Sequence, residues 1–289
     1  MGENTGCSLD KKRVRALELM TVELRKRMLT MVHDAKKGHI GGALSSTDMI
    51  AALFFEVMNV SPDKQDDPNR DIFILSKGHT LEPYLCALSA RGFFADEMLN
   101  TFCKFGSELL GHPNRRVPGV EVNSGALGHG LSIASGAALA KKRDGLSSNV
   151  YVMMGDGELA EGSNWEAAMF AGNYGLDNLY AIIDRNRLQL SGPTEEIMRL
   201  EPLQDKWEAF GFHVVNVDGN DMASILEAFQ SLRQVKGKPK MILSNTTKGK
   251  GVSFMENQLS WHAGAPDDEQ YAIAMEELEQ ERRRLMEHE

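Results

Sequence analysis

Between Leu127 and Ser244 the chain repeats one order four times: a helical stretch, then four to six mostly apolar residues, then a turn. Gly130–Lys142 leads to Val150–Met154, Ser163–Asn173 to Leu179–Asp184, Leu203–Phe210 to His213–Val217, and Met222–Leu232 to Met241–Ser244. The short runs are apolar at consecutive rather than alternate positions, the pattern of strands buried on both faces. Parallel neighbours need a long crossover, and the helices supply it. The order predicts an α/β fold: a doubly wound, mostly parallel sheet with helices on both faces. In such sheets ligands sit outside the carboxyl ends of the strands.

Upstream, apolar residues at near-helical spacing predict a helix over Lys11–His33 and a second over Ser46–Met58. Ile72–Leu75 reads as another strand, with helical stretches following at Pro83–Ala90 and Asp96–Phe102. No spacer rich in proline, glycine or serine divides the chain, and no internal repeat is visible. Residues 1–289 are therefore expected to form a single domain. From Asp267 onward nine acids accompany three arginines, which predicts a solvated C-terminal helix over residues 267–289.

Charge and composition remove several functions. A net charge of −9 argues against a nucleic-acid binder, because phosphate backbones repel acidic surfaces. A hydrophobic content of 42% excludes a disordered chain. The longest apolar run, Met49 to Phe55, is seven residues, against the roughly 20 of a spanning helix, so no membrane role is expected. Met1 to Lys12 is polar and lacks the apolar middle of a signal peptide, and Gly6 stands where a myristoylation signal wants Ser or Thr. Cys7, Cys86 and Cys103 show no CxxC spacing and cannot all pair, which fits a reducing cytoplasm.

The most informative segment runs from Val150 to Leu190. Its first strand ends in Gly155-Asp156-Gly157, placing a carboxylate just past a strand's carboxyl end, between glycines that let backbone N–H groups approach an anion. The next strand ends at Asp184, and Asn186 and Leu188 follow on the neighbouring loop. Asp156, Asn186 and a backbone carbonyl would form a hard, all-oxygen half-shell suited to Mg²⁺ or Ca²⁺ completed by phosphate oxygens. Gly-Asp-Gly alone is also an ordinary turn. Followed by 28 residues and then an asparagine on the next strand's exit, it is far more specific.

The histidines give an independent signal. Four of the eight, His39, His79, His112 and His129, follow glycine; at 27 glycines in 289 residues, chance gives fewer than one such pair. With His262 they read as an active-site cluster on tight loops, able to donate, accept or shuttle protons. His33, His213 and His288 read as structural or surface residues. Zinc is disfavoured, because neither HxxxH nor Cys/His ligand spacing occurs. Asn123–Gly130 is a glycine-rich loop opening a helix, and Thr247-Lys-Gly-Lys-Gly251 follows the last strand, so that Lys248 or Lys250 can reach a phosphate. Neither is a Walker motif, and a GxGxxG dinucleotide fingerprint is absent.

Lys37-GHIGGALSS, Leu75-SKGH, Gly111-HP, Asn123-SGALGHG, Gly155-DGELAEG, Asp184-RNRLQ, Thr247-KGKG and Trp261-HAGAP stand in the order found in transketolases, and the resemblance runs from about residue 15 to 268. It implies the half of a transketolase that holds the diphosphate of thiamine diphosphate. The family's full chain continues for more than twice this length, so the sequence resembles the N-terminal subunit of a split, two-chain transketolase. The partner implied is a pyrimidine-binding C-terminal subunit, in a two-fold α2β2 assembly, with sugar phosphates or related ketoses and aldoses as substrates.

Carried over residue by residue, the resemblance implies that Asp156, Asn186 and the Leu188 carbonyl ligate Mg²⁺ or Ca²⁺. Gly157, His79 and His262 approach the diphosphate, with Lys248 near the cofactor. Gly125 and Leu127 match the loop against the cofactor rings. His39, His79 and His112 match histidines contacting the donor's oxygens, and Glu161 a glutamate communicating with the partner-side catalytic glutamate. His129 and Ala126 depart from the family, which often has glutamine and proline there. Two other readings stand beside this one: a cofactor-binding assembly subunit without turnover, and the α subunit of another thiamine enzyme such as a 2-oxo acid dehydrogenase, which shares the GDG…N pattern but lacks the Gly-His series.

Overall fold

The computed structural model describes residues 10–287. Helix α1 (Lys11–Ala35) is capped by Asp10, whose carboxylate accepts from the Lys12 N–H at 3.0 Å. Helix α2 (Ile40–Ala52) starts earlier than Ser46 and passes into a wide π-turn over Leu53–Val57. Gly41 and Gly42 hide this start, since glycine disfavours helix interiors. Packing overrides propensity here: a Cβ on Gly41 would lie 2.5 Å from the Trp261 carbonyl oxygen, so only glycine lets the two segments touch. Strand β1 (Ile72–Leu75) and helix α3 (Glu82–Ala90) follow. The expected helix after it is a 3₁₀ segment, Asp96–Thr101.

The repetitive part matches its pattern closely. In order come α4 (Gly130–Arg143), β2 (Val150–Gly155), α5 (Gly162–Asn173) and β3 (Leu179–Arg185). A small hairpin of β4 (Leu188–Gln189) and β5 (Gly192–Pro193), with the single turn α6 (Thr194–Ile197), interrupts the alternation before α7 (Leu203–Ala209). Then come β6 (His213–Asp218), α8 (Met222–Leu232), β7 (Lys240–Asn245) and α9 (Asp268–Glu287).

The main sheet has the order β1-β2-β3-β7-β6, with every neighbouring pair parallel. Its two faces bury different clusters. Tyr151, Met153, Tyr180, Ile182 and Ile242 point toward α1, α2, α3, α8 and α9. Val152, Met154, Ala181, Ile183 and Leu243 point toward α4, α5 and α7. Each fully buried aliphatic side chain contributes about 1.5–3 kcal/mol relative to exposure. This two-sided demand makes β1, β2, β3 and β7 apolar at consecutive positions, while β6 at the sheet edge is less buried.

Helix α9 is amphipathic rather than solvated all round: Ala274, Leu278 and Leu285 are buried, and Glu279 pairs with Lys26 of α1 at 2.8 Å. One helical stretch, Ile40–Val57, has the length and apolarity to cross a membrane, but 83% of it is buried inside the fold, as a core helix should be. Cys86 and Cys103 are free thiols; Cys7 and His288 lie outside the described residues.

Register brings the strand exits level. Gly155 pairs with Asp184, and Asp184 with Ser244, so the loops after β2, β3 and β7 leave the sheet side by side.

Candidate active site

A cavity of about 350 Å³ opens where these loops meet the loop after β1 and the glycine-rich segment before α4. It is lined by nine of the residues expected from the sequence: His79, Gly125, Leu127, Asp156, Gly157, Asn186, Leu188, Lys248 and His262. A second cavity, about 410 Å³ beside Phe54, Phe73 and Arg70, contains none of them.

Asp156 is buried directly past β2. Its Oδ1 accepts from the Gly157 N–H at 2.8 Å, and its Oδ2 from the Arg187 N–H at 2.6 Å and the Arg185 guanidinium at 3.2 Å. Burial and then the nearby Asp184 charge push its carboxyl above the usual range, partly offset by those donors. On the next loop Asn186 Oδ1 accepts from the Leu188 N–H at 3.1 Å, while its Nδ2 donates to Asp184 at 3.0 Å. The Leu188 carbonyl accepts from the Lys248 ammonium at 3.0 Å.

One carboxylate, one amide oxygen and one backbone carbonyl thus meet at neighbouring strand exits. Among the described residues no three His, Cys, Asp or Glu side chains gather to hold a metal. The donor set here is of another kind, all oxygen, and suits a hard divalent ion. The Leu188 carbonyl thus faces a cation of the chain itself, the Lys248 ammonium.

Beneath this floor lies a layer that sequence reasoning missed. Asp184, fully buried, pairs with the equally buried Lys77 and also accepts from the Ser45, Thr246 and Asn186 side chains. Burial raises the Asp184 carboxyl, but Lys77 and these hydrogen bonds outweigh it and hold it below the usual range. Glu158 ties three loops together, accepting from the Ser76 hydroxyl, the Gly128 N–H at 2.8 Å and the Gly155 N–H at 3.0 Å. Arg185 bridges Asp156 to Glu195 at 2.9 Å and Glu201 at 3.0 Å. Lys77 stands inside the SKGH motif and Glu158 directly after Gly-Asp-Gly, so their places were visible; their pairings depend on contacts between distant segments.

The histidines form the other wall. The His79 ring lies 5.3 Å from that of His39 and 5.6 Å from that of His262, and His39 and His262 are 6.1 Å apart. Burial, then the neighbouring Lys77 and histidines, pushes the His79 imidazole down to about 3; burial and then Lys248 push His262 down to about 4. Burial, His112 and Lys248 lower His39 as well. Near pH 7 the His79 and His262 rings are therefore neutral. The Lys248 ammonium donates to His262 Nδ1 at 2.9 Å, which leaves the ring proton on Nε2. Burial followed by the Lys77 charge brings the Lys248 amine down to about 8.

Three expected residues stand beside the cavity rather than in its lining. His39 is half-buried at the start of α2, and His112 is exposed with its ring against Gly125. Glu161 is exposed before α5, its Cβ against Gly128, whose φ of +85° and missing side chain allow the contact. One expectation fails. His129 leaves the cluster: it is exposed at the start of α4 and its Nδ1 lies 3.1 Å from the Leu127 carbonyl. Of the two lysines offered for a phosphate, Lys248 lines the cavity and Lys250 lies 3.7 Å from Glu256. A glycine before a histidine marks a loop but does not say which way the ring points.

The family described as "Transketolase, thiamine diphosphate binding domain" matches residues 18–284. The chain belongs to the transketolase family. Among similar proteins, an apulose-4-phosphate transketolase subunit of Phocaeicola vulgatus is 51% identical over 265 residues, covering 92% of this chain and 94% of that one. The 6-deoxy-6-sulfo-D-fructose transketolase subunit SqwG of Clostridium sp. is 44% identical over 259 residues, covering 89% and 94%. Human transketolase is 37% identical over 254 residues, which cover 88% of this chain and 40% of the human one. Of solved structures, transketolase from Leishmania mexicana superposes with a TM-score of 0.80 at 29% identity, over 95% of this transketolase chain and 46% of that one. The chain thus spans under half the length of that solved enzyme, but nearly the whole of the subunit-type relatives. The family match makes thiamine diphosphate the chain's cofactor.

Proposed function

We propose that this chain is the diphosphate- and metal-holding subunit of a two-chain transketolase, which moves a two-carbon ketol unit from a ketose donor to an aldose acceptor. The observation that carries the reading is the convergence, on one cavity, of the oxygen set past β2 and β3 with the histidine wall. The near full-length similarity to two proteins named as transketolase subunits supports the division into two chains. On this reading the second chain supplies the pyrimidine-binding side, the assembly is α2β2, and the setting is the cytoplasm.

Thiamine diphosphate, when bound, supplies the stabilisation of an acyl carbanion that ketol transfer needs. The chain's own residues bind and orient. Asp156, Asn186 and the Leu188 carbonyl hold Mg²⁺ or Ca²⁺ against the diphosphate. The Gly157 backbone, His79 and His262 approach the diphosphate oxygens, His262 through its Nε2–H, while Lys248 adds positive charge nearby. Gly125 and Leu127 form the backbone surface for the rings. His39, His79 and His112 contact the donor's hydroxyl and carbonyl oxygens; neutral rings at His79 and His262 give hydrogen bonds without repelling Lys77 and Lys248. Glu161, exposed before α5, communicates with the catalytic glutamate of the second chain.

The relatives' names speak of apulose 4-phosphate and 6-deoxy-6-sulfo-D-fructose. We therefore expect a ketose carrying a phosphate or sulfonate at its far end. The test offers these two donors and xylulose 5-phosphate to the reconstituted two-chain enzyme with Mg²⁺, thiamine diphosphate and an aldose acceptor. A product lengthened by two carbons supports the reading. Tight cofactor binding without transfer from any donor would instead indicate an assembly role without turnover.

A further inference from the structure

One buried acid has no task in the site described above. Glu82, the first residue of α3, is 1% exposed. Its Oε1 accepts from the backbone N–H of His39 at 2.7 Å, while its Oε2 is buried and meets no donor. His39 is the residue before α2; its carbonyl accepts the Ala43 N–H at 3.2 Å, and no side chain caps this helix. The carboxylate is therefore a strut from α3 to the segment that aims the His39 ring at His79. The approach is close: a Cβ on Gly38 would lie 2.9 Å from Glu82 Oε1.

We propose that Glu82 is a positioning residue, whose carboxylate fixes the His39 backbone and whose protonation loosens that hold. The geometry gives the proton one seat, Oε2, because Oε1 is taken by the amide. An N–H bond to a carboxylate is roughly twice as strong as one to a neutral acid, so the hold on His39 differs between the two forms. The groups facing the carboxyl are the His39 amide and its own N–H, the Lys77 ammonium beyond β1, the Cys86 thiol further along α3, and Cys103 beyond the 3₁₀ segment. Burial dominates, pushing the carboxyl up to about 7 against the two N–H groups and Lys77. The switch thus operates across neutral pH. Its effect on turnover rests on the donor-contacting role proposed for His39; the structural part does not.

The test is NMR of the isolated chain. The His39 amide proton of the wild type should titrate with a midpoint near 7. In Glu82→Gln, an isosteric mimic of the protonated acid, that step should vanish, leaving only the ring's own titration at lower pH. In the two-chain enzyme Glu82→Gln should lower donor kcat/KM about tenfold above neutral pH, roughly the effect of weakening one charge-assisted hydrogen bond, with cofactor affinity unchanged. A His39 amide that does not titrate near neutrality, or one that titrates alike in both proteins, overturns the proposal. The wild-type titration decides even if the variant fails to fold or no donor is turned over.

Discussion

Asp156 and His112 stand at the same end of the sheet but are held by different means. Asp156 is buried on a strand exit, with three hydrogen-bond donors on its two oxygens and the Lys77–Asp184 layer beneath. His112 is exposed on a loop, its ring against Gly125. The oxygen set proposed to hold the metal is thus preorganised by this chain's own buried charges, whereas His112 and Glu161 are exposed. Rigid oxygen donors suit an ion of fixed geometry, and an open wall suits a substrate that a second protein surface encloses. Enclosure also strengthens each polar contact by removing water.

The sharpest way to break this contrast is Asp156→Ala. It should abolish Mg²⁺-dependent binding of thiamine diphosphate in the assembled enzyme, since the only anionic ligand of the set is lost; calorimetry showing wild-type affinity would dissolve the metal assignment. His112→Ala is expected to do the converse. Turnover should fall by about 10²–10⁴ with cofactor affinity unchanged, and thermal stability should move by under about 0.5 kcal/mol, as at an exposed site. Wild-type kcat and kcat/KM would make His112 a structural residue.

Next in size is Lys77→Met, which strands the Asp184 charge in the interior. Removing one partner of a buried pair costs about 3–5 kcal/mol, so denaturant unfolding should register a large loss. A loss as small as that of His112→Ala would mean the layer beneath the metal end is not structural. The smallest effect concerns Glu82. Its folded-state pKa is raised from 4.5 to about 7, so the native state binds a proton that the unfolded state has released between those values. The stabilisation is full below 4.5 and is lost as pH rises through about 7. Glu82→Gln should lack this loss, its stability relative to wild type improving with pH by at most about 3 kcal/mol. Parallel stability curves for the two proteins would contradict it.

Much of this contrast was legible in the residues. Consecutive apolar runs marked β1, β2, β3 and β7 because burial on both faces leaves no alternation to hide, and β6, a more exposed edge strand, was marked by Val214, Val215 and Val217. Gly155-Asp156-Gly157 and Asn186 marked the cavity at the exits of β2 and β3, because the proposed chemistry needs particular atoms at strand ends. What stayed hidden depends on tertiary contact. The start of α2 was masked by two glycines whose reason is the Trp261 carbonyl. The pairing of Lys77 with Asp184 joins segments 107 residues apart. Glu82 carries no signal of its own in the sequence, because an acid at a helix start is ordinary. His129 misled because the Gly-His pattern carries position but no direction.

The central claim is that this chain supplies one half of an active site completed by a second chain. The most direct measurement is a coupled ketol-transfer assay of this chain alone, of a pyrimidine-binding chain alone, and of their mixture, with size-exclusion chromatography alongside. Neither chain should turn over donor by itself, because on the proposed reading the second chain supplies the pyrimidine-binding side and covers the exposed His112 and Glu161. The mixture should elute as a two-fold assembly of both chains and regain activity. Full turnover by this chain alone, free of any co-purified partner, would contradict it.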